Sequence, residues 1–307
     1  MSAAVRLGLA GAGAWGRNYI RTIGSLPGMR LACVASRNPE TAKIVPPACA
    51  VLPDWRALLD PSLVDGVIIA TPTPTHVSIA LAAIEHGLPV LVEKPLTLDV
   101  IQARGVKARA TEKQVLVMVD HTQLFHPAYR KLKSLLPRLG RLQSLRGLAG
   151  RIGPFRPDTP ALWDWGSHDV AMCLDLIGTP PTRIAAKVIE RATIDGHEGE
   201  SVQIDLGFPS SVAASLLVSN IFREKTRRFS AVGDRAALTY DDAAADKLSL
   251  EQNGLRQPIA VDAELPLAVA VREFAQAIGA RSRNARSLDV AVQVVEVLSV
   301  CAAALAH

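Results

Sequence analysis

The sequence predicts two folds in succession. A doubly wound parallel α/β sheet runs to about residue 120, and residues 121–307 form an α+β domain built on a large, mostly antiparallel, open-faced sheet. Three observations predict this. Apolar runs alternate with helical patterns through the first part, the rhythm of a parallel sheet covered on both faces. The first apolar run ends in Gly11-Ala12-Gly13-Ala14-Trp15-Gly16, a G-x-G-x-x-G spacing where a strand turns into a helix. From Arg183 to Val261 strand-like segments follow one another without intervening helices. The chain of 307 residues also exceeds the ~250–300 at which a single core stops growing.

Val5, Leu7 and Leu9 mark the first buried strand. The glycines after it have separate tasks: a tight turn, close backbone approach to a pyrophosphate, and close packing of helix on strand. The first-turn N–H groups, Ala14 and Trp15 included, then face an anion with the helix dipole behind them. Without a ligand, the same pattern is simply a glycine-rich turn. A helix over Asn18–Leu26 and a strand over Leu31–Ala35 follow, leading into Ser36-Arg37-Asn38-Pro39. A dinucleotide fold usually places an acid about 20 residues past the turn to hold ribose hydroxyls. Here Ser36 and Arg37 stand in that place, and both can donate to a 2′-phosphate that a carboxylate would repel. This favours NADP over NAD, the alternative being an ordinary surface turn.

A short helix over Asp54–Leu59 precedes a buried strand, Val64–Ala70. The loop Thr71-Pro72-Thr73-Pro74-Thr75-His76 lies at the strand's carboxyl end, held from helical geometry by two prolines, with Thr75 placed to cap the helix that runs through Glu85. Strand Leu88–Val92 runs into Glu93-Lys94-Pro95. A helix to about Glu112 and a strand over Gln114–Val119 close the first part. The second part begins with a helix, Pro127–Leu136, and a strand, Leu142–Gly150. An irregular stretch over Gly153–Pro160 and a helix over Ser167–Ile177 follow. Strands are then expected over Arg183–Glu190, Ser201–Phe208, Val212–Ser219, Arg228–Val232, Ala236–Tyr240, Lys247–Glu251 and Gln257–Val261. Helices over Leu267–Ile278 and Ser287–Ala306 end the chain, with room to pack back toward the first part.

Composition narrows the function classes. Hydrophobic residues make up 49% and charged residues 21%, the balance of a soluble globular chain. The net charge of +5 suits anionic ligands, but basic residues are scattered and aromatics are only 4%, which argues against nucleic acid. The densest basic run, Arg223–Arg228, reads as a solvated strand or loop. No apolar run reaches the ~18 residues of a membrane span, and the C-terminal segment is interrupted by Asp289, Gln293 and Glu296. Cys33, Cys49, Cys173 and Cys301 have neither metal-ligand nor disulfide-framework spacing, which points to reduced thiols, a cytoplasmic location and no metal.

Two places carry candidate chemistry. Lys94 sits at the carboxyl edge of a parallel strand, in the layer of the glycine turn and the Thr71–His76 loop, where its ammonium can bridge a nicotinamide ribose and a substrate oxygen while Glu93 orients it. In Trp163-Asp164-Trp165-Gly166-Ser167-His168, Asp164 and His168 are four apart and share one face of a helical turn. A carboxylate on one ring nitrogen fixes the tautomer and leaves the other to exchange a proton with a substrate hydroxyl. The structural alternative is a capping Asp164 with a core histidine.

Taken together, Gly11-x-Gly13-x-x-Gly16, Ala70-Thr-Pro-Thr-Pro-Thr-His76, Glu93-Lys94-Pro95 and Asp164-x-x-x-His168 resemble the glucose–fructose oxidoreductase/inositol dehydrogenase (Gfo/Idh/MocA) family over nearly the whole chain. The resemblance implies a Rossmann domain, NADP or NAD, and oxidation or reduction of a sugar, polyol or sugar nucleotide. It puts the family's catalytic lysine on Lys94, its aspartate on Asp164 and its histidine on His168. It adds Gln123, His126 and Trp163 as substrate contacts, and Thr71, Pro72, Thr73, His76 and Glu93 as cofactor contacts. The open sheet face itself points to a homodimer or homotetramer joined through it. One departure is Leu124-Phe125-His126-Pro127, where many relatives carry Arg-Phe-x-Pro. The run Asp120–Pro127, with Pro157-Asp158 and Leu162-Trp163-Asp164, resembles a subgroup of polysaccharide and sugar-nucleotide pathways. Two other readings keep the nucleotide site: a non-catalytic NADP-binding regulator, and a glycoside-cleaving enzyme that uses the cofactor transiently.

Overall fold

The computed structural model describes residues 4–156, 159–209 and 211–306. Pro157 and Asp158 lie outside the described residues. The chain divides into two compact units, residues 1–122 with 265–292, and residues 123–264 with 293–307.

The first unit holds a six-stranded, all-parallel sheet of β1 (Val5–Ala10), β2 (Met29–Ala35), β3 (Ala50–Leu52), β4 (Gly66–Ile69), β5 (Val90–Glu93) and β6 (Val117–Asp120), in the order β3-β2-β1-β4-β5-β6. β1 pairs with β2 on one side and β4 on the other, so the strand order reverses beside it. Ligands of open α/β sheets bind in the crevice at that reversal, outside the carboxyl ends of the strands. The central strands are apolar because helices cover both faces: Leu7, Leu9, Val67, Ile68, Val90 and Val92 are fully buried. The covering helices are α1 (Gly16–Ser25), α2 (His76–Glu85) and α3 (Val100–Lys113), joined in this unit by the C-terminal α6 (Pro266–Gly279). Asp99 Oδ1 caps α3 by accepting from the Gln102 N–H at 2.9 Å.

The second unit is organised on an eight-stranded sheet, in which β7 is Leu142–Gly150, β8 Arg183–Ile194, β9 His197–Gly207, β10 Ala213–Ser219, β11 Thr226–Gly233, β12 Ala237–Asp241, β13 Leu248–Gln252 and β14 Leu255–Pro258. The order is β14-β13-β12-β11-β7-β10-β9-β8, antiparallel except for the β7–β10 pair. Its helices are α4 (Pro127–Ser134) and α5 (Ala161–Ile177). Residues 161–174 of α5 are all buried. The last helix, α7 (Arg286–Leu305), contributes Arg286–Val292 to the first unit and the remainder to the second.

Four expectations are corrected. Helix α5 begins at Ala161, six residues before Ser167, because burial of its Trp, Gly and Asp residues outweighs their poor helix propensity. Thr75 does not cap α2: Thr73–Thr75 form a 3-10 turn, and the Thr75 hydroxyl bonds Thr71 Oγ1 at 2.6 Å and the Pro72 carbonyl at 2.7 Å. Strands β8 and β9 extend to a two-residue turn at Asp195-Gly196, and β14 starts directly after Asn253-Gly254. All four turn residues have positive φ, as Asp-Gly and Asn-Gly hairpin turns require. Finally, α7 is long and apolar enough, by length and composition, to cross a membrane, despite the interrupting polar residues. Leu288, Val294, Leu298 and Cys301 on it are buried within the fold, the pattern of a core helix. The four cysteines are free and buried.

Candidate active site

The glycine turn is built by steric necessity at two of its three glycines. Gly11 has φ +96°, and a Cβ there would lie 2.7 Å from the Ala70 carbonyl oxygen at the end of β4. A Cβ on Gly16 would run into the Gly11 carbonyl. Gly13 is different: no protein atom lies within 4 Å of the place its Cβ would take.

That place opens onto a groove of about 1140 Å³ at the carboxyl ends of β1, β2 and β4. Gly11, Gly13 and Ala14 form its floor, Ser36 and Arg37 one wall, and Thr71 with Pro72 the opposite wall. The groove, its glycine floor and its cationic wall fit a dinucleotide, whose pyrophosphate needs backbone N–H groups and whose adenosine end needs polar partners. Arg17, Asn38, Trp55 and Arg56 also line it, and the sequence alone did not single them out. Trp55 and Arg56 follow the edge strand β3, and the Arg56 guanidinium stacks over the Trp55 ring at 4.5 Å. Their signal was a Trp-Arg pair after a strand, which becomes meaningful only once β3 is placed beside β2. The Ser36 hydroxyl is within 2.7 Å of Thr41 Oγ1 and accepts from the Asn38 N–H at 3.2 Å.

Other expected cofactor contacts stand elsewhere. Trp15 and Thr73 are not among the groove's lining, and Gly16 is buried beneath the turn. His76 is buried, with Nδ1 2.9 Å from the Pro95 carbonyl and Nε2 2.8 Å from the Thr71 carbonyl. Its ring nitrogens therefore tie the loop after β4 to the loop after β5 instead of facing a ligand. Glu93 is also turned inward: the Tyr19 hydroxyl lies 2.8 Å from Glu93 Oε1 and 2.7 Å from Asp120 Oδ2. Burial, then the charge of Asp120, holds the Glu93 carboxyl well above the usual range, against the pull of Tyr19 and Lys94. Burial likewise pushes Asp120 up to about 6. Lys94, at the end of β5 and half-buried, is the cation nearest to these groups in effect: it favours both carboxylates and, after burial, depresses His121 to about 3.

In the second unit, α5 carries Asp164 and His168 one turn apart, both nearly buried. The Pro160 residue occupies the N-cap position, so the capping role considered for Asp164 does not apply. Arg156 Nη1 approaches Asp164 Oδ1 at 3.9 Å. Trp163 is buried in the same helix. Directly after His168, Asp169 faces Arg227 at 3.5 Å, and the Arg227 guanidinium lies 5.2 Å from the Trp165 ring. Arg227 is 5% exposed, which corrects the reading of Arg223–Arg228 as uniformly solvated. Burial raises Asp169 to about 6 in spite of this cation. Two expected substrate contacts make polar contacts within this unit. His126 Nδ1 accepts the Ala128 N–H at 3.1 Å, capping α4, and Nε2 lies 3.4 Å from Asp242. Gln123 Oε1 accepts the Tyr240 hydroxyl at 2.7 Å. Among the described residues no group of three or more His, Cys, Asp or Glu side chains is placed to hold a metal.

Comparison with known proteins agrees with this arrangement. Residues 5–121 match the model of the oxidoreductase family with an NAD-binding Rossmann fold. The UDP-N-acetylglucosamine 3-dehydrogenase of Acidithiobacillus ferrooxidans is 30% identical over 229 residues, covering 73% of this chain and 70% of that protein. Its crystal structure superposes with a TM-score of 0.85 over 99% of this chain and 98% of that one. A crystal structure from Magnetospirillum magnetotacticum, described as an oxidoreductase, shares 44% identity and a TM-score of 0.91, covering 97% of this chain and all of the other. The inositol 2-dehydrogenase of Mycolicibacterium smegmatis is 38% identical over 139 residues, 43% of this chain and 40% of its own length. With a dinucleotide groove at the strand reversal, an Asp-x-x-x-His face on α5 and relatives alike over most of their length, the chain belongs to the Gfo/Idh/MocA family of NAD-binding, Rossmann-fold oxidoreductases.

Proposed function

We propose that the chain moves hydride reversibly between NADP or NAD and a secondary alcohol or ketone of a sugar, polyol or sugar nucleotide. Bound in the groove, the nicotinamide supplies a hydride acceptor or donor. In the oxidative direction His168 takes the hydroxyl proton, and Asp164 supports the imidazole as it becomes charged. Lys94 stabilises the alkoxide-like oxygen as a fixed cation, and the groove residues Gly13, Ala14, Ser36, Arg37, Thr71 and Pro72 hold the cofactor. The observation that carries this reading is the Asp164/His168 pair on one buried face of α5, which a nucleotide-binding regulator does not need.

Arg37 with Arg17 and Arg56 in the same groove supports NADP as the preferred cofactor, since three guanidiniums favour an added phosphate. The substrate class follows from the relatives, among them a sugar-nucleotide and an inositol dehydrogenase. The alternating exposed residues of β8 and β10 favour a homodimer or homotetramer through the open sheet face, and the four free cysteines favour the cytoplasm.

The test is Lys94→Ala, assayed with NADP and NAD across aldoses, polyols and nucleotide sugars. Dinucleotide affinity should stay close to that of the parent while turnover falls at least ~100-fold. Turnover near that of the parent would remove Lys94 from the mechanism.

A further inference from the structure

Next to Lys94 in the chain, and within reach of its charge, the first unit buries more acid than the reaction uses. Glu93 ends β5, Asp120 ends the neighbouring β6, and the two are in register as paired residues. Tyr19 reaches them from α1, with its hydroxyl oxygen 2.8 Å from one carboxyl and 2.7 Å from the other. All three side chains are more than nine-tenths buried.

Both separations are those of O–H···O hydrogen bonds, yet a tyrosine hydroxyl has a single proton to donate. It can donate to one carboxylate. Its second short contact is favourable only when the other carboxyl brings a proton of its own and donates to the hydroxyl oxygen. Were both carboxyls ionised, one would face that oxygen lone pair to lone pair, with two negative charges buried side by side.

We infer that Glu93 and Asp120 share one proton through Tyr19, and that the resulting single negative charge positions the Lys94 ammonium. Tyr19 and Asp120 are thus positioning residues for the reaction, acting through Glu93 and Lys94. The inference rests on the reading of Lys94 as the cation beside the reacting oxygen. Lys94 is the cation whose charge acts on both Glu93 and Asp120, and burial together with Lys94 keeps His121, next to Asp120 in the chain, neutral, so Lys94 is the cation that the shared charge balances. Burial acts in the same direction as the geometry, raising both carboxyls and the Tyr19 hydroxyl. As the shared proton is lost at high pH, the charge acting on Lys94 doubles and draws the ammonium toward it, away from the substrate oxygen.

The test begins without substrate or cofactor. Infrared spectra of the full chain at neutral pH should contain the carbonyl stretch of one protonated carboxyl that disappears in Glu93→Gln and also in Asp120→Asn, since each amide takes the place of the protonated partner. Absence of that band from the parent protein, or its survival in both variants, overturns the inference. The kinetic arm uses Tyr19→Phe and Asp120→Asn with NADP. Tyr19→Phe should lower kcat about tenfold with little change in cofactor KM, and Asp120→Asn should move the alkaline limb of the kcat profile upward in pH. An unmoved limb in Asp120→Asn would reduce the cluster to a structural role. The two readings separate cleanly. Full turnover in Lys94→Ala sinks the lysine assignment while leaving the infrared band in place, whereas a missing band with an inactive Lys94→Ala sinks only the shared proton.

Discussion

The glycine turn of the first unit and the α5 face of the second are made in opposite ways. The turn binds with backbone: its shape follows from what cannot be present at Gly11 and Gly16, and its chemistry from N–H groups that every residue owns. The α5 face works with side chains, an aspartate and an imidazole on successive turns of a helix buried along most of its length. A backbone site tolerates many neighbours but few changes of its own. A side-chain site depends on what surrounds it. The comparison predicts that damage to the α5 face will show in turnover, and damage to the turn in folding or affinity.

The largest effect is expected at His168. His168→Asn replaces the imidazole with a smaller amide that still donates a hydrogen bond but cannot carry a proton between substrate and solvent. Turnover should fall about 10³-fold, with dinucleotide binding and Tm close to those of the parent. Steady-state kinetics together with a direct cofactor titration separate the two quantities. Weakened cofactor binding with intact turnover would invert the division of labour between the regions.

The pair behind that face should reveal itself in stability. Arg227→Met keeps the apolar stem over Trp165 but leaves Asp169 buried without its cation, a change that costs about 3–5 kcal/mol in comparable pairs. The pH dependence gives the sign independently. The Asp169 carboxyl binds its proton more tightly folded, at about 6, than it does unfolded at about 4. Folding stability from this group is therefore fully present below pH ~4 and declines as pH rises to ~6, by about 3 kcal/mol in all. Denaturant unfolding across that range should show the decline flattened in Asp169→Asn. A slope unchanged by that substitution would place the titration elsewhere.

How far the sequence could be read follows the same division. The parallel sheet and the glycine turn were legible because they rest on apolar runs, period-3.6 patterns and glycine sterics, all local in sequence, whereas the strand order, and the edge strand β3 with it, was not. The placement of Asp164 and His168 one turn apart was legible too, being four apart, although the start of α5 was not: Trp163, Trp165 and Gly166 are weak helix formers that adopt helix only because they are buried. What remained hidden was assembled across strands. Tyr19, Glu93 and Asp120 meet over separations of 74 and 101 residues, and Asp169 meets Arg227 from within a basic run that looked solvated. His76 and His126 illustrate the converse error, since polar residues beside a predicted cleft turned out to be satisfied by carbonyls, a backbone N–H and Asp242.

The smallest predicted change in the folded protein is the sharpest test of the turn. Gly13 and Gly16 belong to one motif, yet they differ physically. Gly16→Ala would press a methyl group onto the Gly11 carbonyl, so the turn must open, at a cost of about 1–3 kcal/mol that denaturant unfolding would record without any ligand. Gly13→Ala meets no protein atom within 4 Å, and its φ lies outside the left-handed region, so its stability should stay within ~0.5 kcal/mol of the parent. The added methyl points into the groove where a pyrophosphate would approach, and dinucleotide affinity should drop about tenfold or more. One substitution would then act on the fold and the other on the ligand. If Gly13→Ala bound dinucleotide as tightly as the parent, the space above Gly13 would not be where the phosphates sit, and the groove's floor would have to be sought elsewhere along the carboxyl ends of β1 and β4.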